Sequence, residues 1–397
     1  MAKHTQTDFF HHAPMMHMLA SICLHVYNIS MHTKHISLLE SISPGLHIDP
    51  LDQEHIHAAQ NHLNSLTKPR GSLGRLETLA CRLFAISSGA LPLSVSPALM
   101  LTVAADHGIA AQHVSPYPQA VTRQMVQNFL HGGAAINVLC NISGLDLRIV
   151  DAGCCGGAFP QHPMLVDRRL GDGTADFSQG SAMQRMTCLK GLRMGVELAQ
   201  KTIQSGYRCL GIGEMGIANS TAATALYCAF LRRNPEDMTG PGAGADKTMI
   251  GHKIHVVRKA LEVNKRALLG DAIDILAAFG GFEIVLMTGL LLGAAAQRVP
   301  VLVDGFISSA AYVAALAICP AVSEYAILAH SSAEPGHLLA LHQLTGAVEL
   351  DTPLLHLGLR LGEGTGGAIA YHLLRCASAI FNGMATFNAA GVLEKPC

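Results

Sequence analysis

Glu363 stands in Leu361-Gly362-Glu363-Gly364-Thr365-Gly366-Gly367, one carboxylate among glycines, between an apolar run and a helix-compatible segment at Ala368–Phe381. Glycines let backbone and ligand approach closely, and the amides that open the next helix would face the same space. An acid held there is well placed to take a proton from a bound molecule. The same residues also make a plain helix stop and tight turn with a solvated glutamate. A second turn, Gly213-Glu214-Met215-Gly216-Ile217-Ala218-Asn219-Ser220-Thr221, feeds a helix opened by amide and hydroxyl side chains. It reads as a phosphate cradle built from Gly216, Asn219, Ser220 and Thr221, or as an ordinary N-cap.

Other polar clusters are less specific. Gly240-Pro241-Gly242-Ala243-Gly244, followed by Lys247 and Lys253, offers an anion contact or a surface loop. Lys68, Arg70 and Arg75 beside Gly71 and Gly74 allow the same two readings. Ser331 and Ser332 precede His337, yet no G-x-S-x-G nucleophile elbow surrounds them. Asp106-His107 lacks a third ligand at a usual spacing, so an orienting role fits better than metal binding. Neither the dinucleotide fingerprint nor a P-loop is present.

The elements that must position these groups recur with a period. Apolar runs at Ala98–Ala105, Leu145–Val150, Tyr207–Ile212, Val299–Val303, Tyr325–Ala329 and Leu354–Leu361 each end in polar or glycine residues, Asp304 among them. Small-residue helical stretches separate most of them: Val121–Leu139, Ser181–Ser205, Ser220–Arg232, Ile250–Leu268, Phe282–Gln297 and Ala310–Ala317. Buried runs alternating with helices predict an open, mostly parallel Rossmann-like α/β sheet, whose ligands lie at the carboxyl ends of the strands. Helical spacing over residues 49–66 and from Arg75 to about Ser87 adds a helical segment ahead of the sheet.

The 397 residues are 50% hydrophobic and only 14% charged, with a formal net charge of −1, enough for a large core and without a basic footprint for nucleic acid. The longest apolar stretch, Ile284–Ala296, is broken by Thr288, Gly289 and Gly293 and is too short to span a membrane. Eleven cysteines with no C-x-x-C fit reduced, packed thiols in a cytoplasmic protein. His55-x-His57 is the best metal spacing among the many histidines, but solvated rings are the commoner outcome, so no metal is expected. Residues 1–45 are Met-, His- and Ser-rich and make a poor signal peptide. They read as a mobile extension or as an over-long start ahead of Met31.

Taken together, several stretches resemble the nicotinate-nucleotide–dimethylbenzimidazole phosphoribosyltransferase family. They are Lys68–Glu77, Ala105–Gly108, Pro118–Thr122 with Asn128–Leu130, Gly211–Thr221, Val303–Phe306, Ser332–His337 and Gly362–Gly366, in order across residues 50–392. The resemblance implies transfer of phosphoribose from nicotinate mononucleotide to 5,6-dimethylbenzimidazole, giving α-ribazole 5′-phosphate and nicotinate. It implies Glu363 as general base and Glu214 as a second active-site acid, with neither cofactor nor metal. It also places a base pocket at Pro118, Gln119, Met125 and Leu361, and phosphate or ribose contacts at Gly216, Asn219, Ser220, Thr221, Lys253, Asp304, Ser331 and Ser332. The implied fold adds a smaller helical domain built from both chain ends. That divides the chain into residues 1–45, 46–97, 98–365 (the catalytic α/β domain) and 366–397. The implied assembly is a homodimer whose neighbouring subunit completes the site. Where the family usually carries a Gly-Thr-Gly-x-Asp-Asp-like loop, this chain has Gly242-Ala243-Gly244-Ala245-Asp246-Lys247. Two other readings are a different acceptor base (adenine, a phenol, another benzimidazole) and a non-catalytic nucleotide sensor.

Overall fold

The computed structural model describes residues 35–345 and 352–393. The chain divides into two compact units, Met1–His47 and Ile48–Cys397. In the first, residues 35–42 are helical, and the rest of the expected N-terminal extension lies outside the described residues.

The second unit opens with helices α1 (Gln53–Ser65) and α2 (Arg75–Ile86). Strand β1 (Ala98–Ala105) is buried at every position, as its unbroken apolar sequence demands of a central parallel strand. Helices α3 (Ala120–Leu130) and α4 (Ala135–Ser143) follow, then β2 (Asp146–Gly153), β3 (Leu165–Asp167), α5 (Arg185–Gln204) and β4 (Cys209–Met215). Next come α6 (Asn219–Leu231), α7 (Lys247–Val263), α8 (Ala272–Phe279), α9 (Phe282–Ala296), β5 (Val301–Val303) and α10 (Phe306–Ile318). Strand β6 (Ala326–Leu328) and helices α11 (Pro335–Thr345) and α12 (Thr365–Gly383) complete the unit's main elements.

The six strands form one parallel sheet in the order β3-β2-β1-β4-β5-β6. The order reverses between β1 and β4, and a crevice opens at the carboxyl ends of strands at such a switch point. One sheet face is covered by α12, whose Tyr371, Leu374 and Phe381 share a core with Leu63, Leu66 and Leu83 of the first two helices and with Met100 of β1. On α5 and α9, a Cβ at Gly195 or Gly289 would strike the facing helix backbone, so those glycines permit a close helix crossing. No helix among the described residues is long and apolar enough to cross a membrane.

The open parallel sheet agrees with the sequence reading, but two strand assignments do not. The run Leu354–Leu361 is irregular: it meets the sheet edge at a bridge from Leu355 to His330, with the Leu354 and Leu355 amides donating to the Leu328 and Ala329 carbonyls, and forms no longer ladder. Gly358, at φ +66°, turns it away from extended backbone. The sixth strand is instead Leu165–Asp167, three residues with none buried, too short for a periodic signal. The stretch Val121–Leu139 breaks at Gly132-Gly133 into α3 and α4, and helices α8 and α11 were not anticipated.

Candidate active site

A cavity opens at the carboxyl ends of β4, β5 and β6, lined by Glu214, Gly216, Asn219, Ser220, Lys253 and Ser332, with Gly305, His330, Glu334 and Leu361. The first turns of α6 (Asn219, Ser220) and α10 (Phe306, Ile307) both face it. Two helix N-termini and a lysine, beside the carboxyl groups of Glu214 and Glu334, give the cavity donors of the kind an anion needs. Lys253 Nζ donates to Ser220 Oγ (3.1 Å) and to the Gly240 carbonyl (3.2 Å). A Cβ at Gly242 would press on both Ser220 Oγ and Lys253 Nζ. Burial lowers Lys253 to about 8, against the opposing charge of Glu334. Glu334, raised by burial, accepts from the Gly242 amide (2.8 Å) and so fixes the loop over the lysine.

The two glutamates meet at the rim. Glu214, next to the last residue of β4, has Oε2 accepting from Asn219 Nδ2. Its Oε1 occupies the space that a side chain at Gly362 would need. Burial, opposed by the Asn219 bond and reinforced by the charges of Glu283, Asp304 and Glu363, lifts Glu214 to about 8. Glu363 donates its amide to the Glu214 carbonyl (3.1 Å), and its own carbonyl accepts from Thr102 Oγ1 (2.7 Å). Its φ of +64° is strained for a residue with a side chain, and such strain gathers where a group must be aimed. The carboxylate is 4% exposed and accepts from the Ile136 amide (3.1 Å) at the N-terminus of α4. Burial raises its pKa, the Ile136 bond opposes the rise, and the charge of Asp304 adds to it. The turn can lie across β4 because Gly213 has no side chain; a Cβ there would strike the backbone of Glu363 and Gly364.

The predicted residues are thus only partly gathered. Glu214, Gly216, Asn219, Ser220, Lys253, Ser332 and Leu361 line the cavity. Glu363, next to the lining residue Gly362, is not itself among the lining residues and is 4% exposed. Asp304 sits behind the wall with both oxygens occupied, by the amides of Gly364 (3.2 Å) and Gly367 (3.0 Å). Those bonds consume helix amides that the sequence suggested would face ligand. Thr221 is buried inside, and Ser331 turns its hydroxyl to His356 Nδ1. Pro118 is exposed at the start of α3, Gln119 donates to Cys155 Sγ (3.4 Å), and Met125 packs against the core. Helix α3 adjoins the β4–α6 turn through Thr122 Oγ1, which accepts from the Ile217 amide (3.0 Å). In the altered loop, Asp246 caps α7 and Lys247 points to solvent, so that lysine does not reach the cavity.

Sequence reasoning missed Glu334, His330, Arg360 and the start of α10. The only available signals were Ser332-x-Glu334-Pro335, which opens α11, and Asp304-Gly305, which opens α10. It gave His107 an orienting role. His107 is buried with Nε2 2.7 Å from Glu283 Oε1, a pairing of residues far apart in sequence.

A family described as Phosphoribosyltransferase matches residues 48–392. A nicotinate-nucleotide–dimethylbenzimidazole phosphoribosyltransferase of Nitratidesulfovibrio vulgaris (strain DP4) is 55% identical over 348 residues, covering 87% of this chain and 96% of its own. That of Pelodictyon phaeoclathratiforme is 48% identical, covering 88% and 96%. The crystal structure of the Thermus thermophilus enzyme of the same name superposes with a TM-score of 0.80 at 38% identity, over 87% of this chain and all (100%) of that one. The parallel sheet, the anion cavity and the paired glutamates therefore stand in a chain that belongs to the nicotinate-nucleotide–dimethylbenzimidazole phosphoribosyltransferase family.

Proposed function

We propose that this protein transfers phosphoribose from nicotinate mononucleotide to 5,6-dimethylbenzimidazole, with Glu363 as the general base. The nucleotide's phosphate is held by Lys253, Ser220 and the N-termini of α6 and α10, and Gly216, where a Cβ would strike the Ala105 carbonyl, keeps the β4–α6 turn close-packed beside it. The bond from C1′ to the pyridinium nitrogen breaks with its electron pair staying on nicotinate, which leaves as a neutral ring nitrogen and needs no acid. The lone pair of one benzimidazole nitrogen forms the new bond on the opposite face, inverting the centre from β to α. The other ring nitrogen loses its proton to Glu363, which relieves the positive charge gained by the attacking ring. Holding the two reactants in line supplies much of the remaining acceleration.

The observation that supports this reading is the adjoining pair of buried glutamates beside a cavity that holds a buried lysine and two helix starts at the sheet's carboxyl end. With Glu214 lifted to about 8, it is protonated at neutral pH, and Glu363 does not face a second full negative charge across the turn. Pro118, Gln119, Met125 and Leu361 line the acceptor's side. Asp304 holds the Glu363 turn, and Ser332 closes the cavity floor. Thr221 and Ser331 act behind the wall. The helical segments 46–97 and 366–397 form the smaller domain, and the enzyme works in the cytoplasm as a homodimer whose neighbouring subunit completes the site. Replacing Glu363 by glutamine tests the assignment: α-ribazole phosphate formation fails while nicotinate mononucleotide still binds. Near-normal turnover by that variant overturns it.

A further inference from the structure

His330 follows β6 and lines the cavity, yet the transfer chemistry gives it no task. It is 2% exposed, and neither ring nitrogen has a hydrogen-bond partner. Its closest charged group is Asp304, with Nε2 3.5 Å from Oδ1. The ring fits edge-on against two glycines, since a Cβ at Gly305 or Gly366 would strike it. The Asp304 carboxylate is therefore shared. It accepts from the Gly364 and Gly367 amides that frame the Glu363 turn, and it also faces the His330 imidazole.

We propose that His330 and Asp304 form a neutralising pair that positions the Glu363 turn and sets the pH at which Glu363 becomes a base. The inference rests on Glu363 being the proton acceptor. The groups around the pair give it a definite sign. Burial works against charge on His330, but the Asp304 carboxylate outweighs it and holds the imidazole above the ordinary histidine range. His337, on α11, is driven down to about 3 by burial and then by His330, so it is neutral. Its Nδ1 accepts from the Ser332 amide and its Nε2 meets Ser309. Glu363 feels Asp304 from β5 and the Ile136 amide from α4. Glu214, beside it on β4, feels Asp304 as well as Glu283 from α9, which is itself paired with His107. Among these acids, Asp304 raises both glutamates, and His330 is the buried base whose proton would offset it.

The test is the pH profile of kcat for α-ribazole phosphate formation in His330→Gln, Asp304→Asn and the double variant, with Glu363→Gln alongside. Removing the imidazolium leaves Asp304 uncompensated, so the acid limb moves to higher pH, by on the order of one unit. Removing the anion moves that limb to lower pH by a similar amount, and the double variant returns it near its original place. The height of each profile falls separately, because asparagine cannot satisfy both the Gly364 and Gly367 amides. Limbs that move in the same direction, or not at all, overturn the pair, because a merely structural role lowers activity without opposite shifts. A Glu363→Gln enzyme that keeps its turnover overturns the base assignment instead, whatever the other variants do. NMR titration of His330 in the unmodified protein gives a reading that needs no variant to fold. A midpoint above the ordinary histidine value is expected, and one at or below it refutes the pair.

Discussion

The turn after β4 and the turn before α12 each place glycines around one glutamate and then start a helix, but they face in different directions. The first, Gly213–Ser220, lies open. Glu214, Gly216 and the opening residues of α6 line the cavity, and Lys253 reaches in across Ser220. The second, Gly362–Gly367, is closed. Two amides at the start of α12 are taken by Asp304, and the glutamate is turned toward α4. An open turn offers charge and hydrogen bonds to a ligand, whereas a closed one aims a single group and excludes water from it. In the proposed function the contrast assigns binding to one stretch and chemistry to the other, although the two look alike as strings of letters.

Substitutions that exchange these properties should separate cleanly. The largest effect belongs to the closed turn. Glu363→Gln lowers kcat by ~10²- to 10⁴-fold, with nicotinate mononucleotide affinity nearly unchanged, measured by product formation beside equilibrium binding. In the open turn, Lys253→Met raises the Kd for nicotinate mononucleotide by roughly 10- to 100-fold, since a hydrogen bond to a charged group contributes about 1.5–3 kcal/mol. Lys253 is charged below about 8, so wild-type binding weakens as pH rises through that value, and the variant lacks the dependence. A drop in kcat without loss of affinity in Lys253→Met would break the contrast.

The contact between the turns is the next target. Gly362→Ala forces a side chain onto φ +85° and into Glu214 Oε1, lowering stability by about 1–3 kcal/mol in thermal unfolding. Glu214→Gln has the smallest effect on turnover, within roughly tenfold at neutral pH, because the native side chain is already protonated there and loses little general acid–base chemistry. Its signature lies in stability. A carboxylate raised from 4.5 to about 8 by folding makes its contribution below the unfolded value, and the protein loses it as pH climbs through about 8. Glu214→Gln should therefore unfold at the same temperature as wild type at low pH and at a higher one at pH well above 8. Equal unfolding temperatures across the range would show that Glu214 is not held protonated.

Much of the fold was legible because burial imposes period and apolarity on the chain. Ala98–Ala105, Tyr207–Ile212 and Val299–Val303 announced central strands, and each strand's polar exit marked the site's edge. The strand at Leu165–Asp167 was not legible, since three residues carry no period and pair only because β2 is already there. Leu354–Leu361 misled for the opposite reason: only Leu354 and Leu355 pack against the core, while Leu357 and Leu361 are exposed, so its apolar letters do not mark a buried strand.

The site divides along the same line. Residue type and local spacing picked out Gly216, Asn219 and Ser220, which line the cavity, and singled out Glu363, since a helix start or a lone acid among glycines is a property of a few consecutive residues. The sequence by itself also determined the alternating plan that sends polar residues to one end of the sheet. Tertiary structure alone decided which turn is open and which is closed. That choice depends on Asp304, His330 and Ile136, residues distant in sequence that reach the turn only through strand order. Hydrogen bonds and charge act over a few ångströms of space, whatever the distance along the chain.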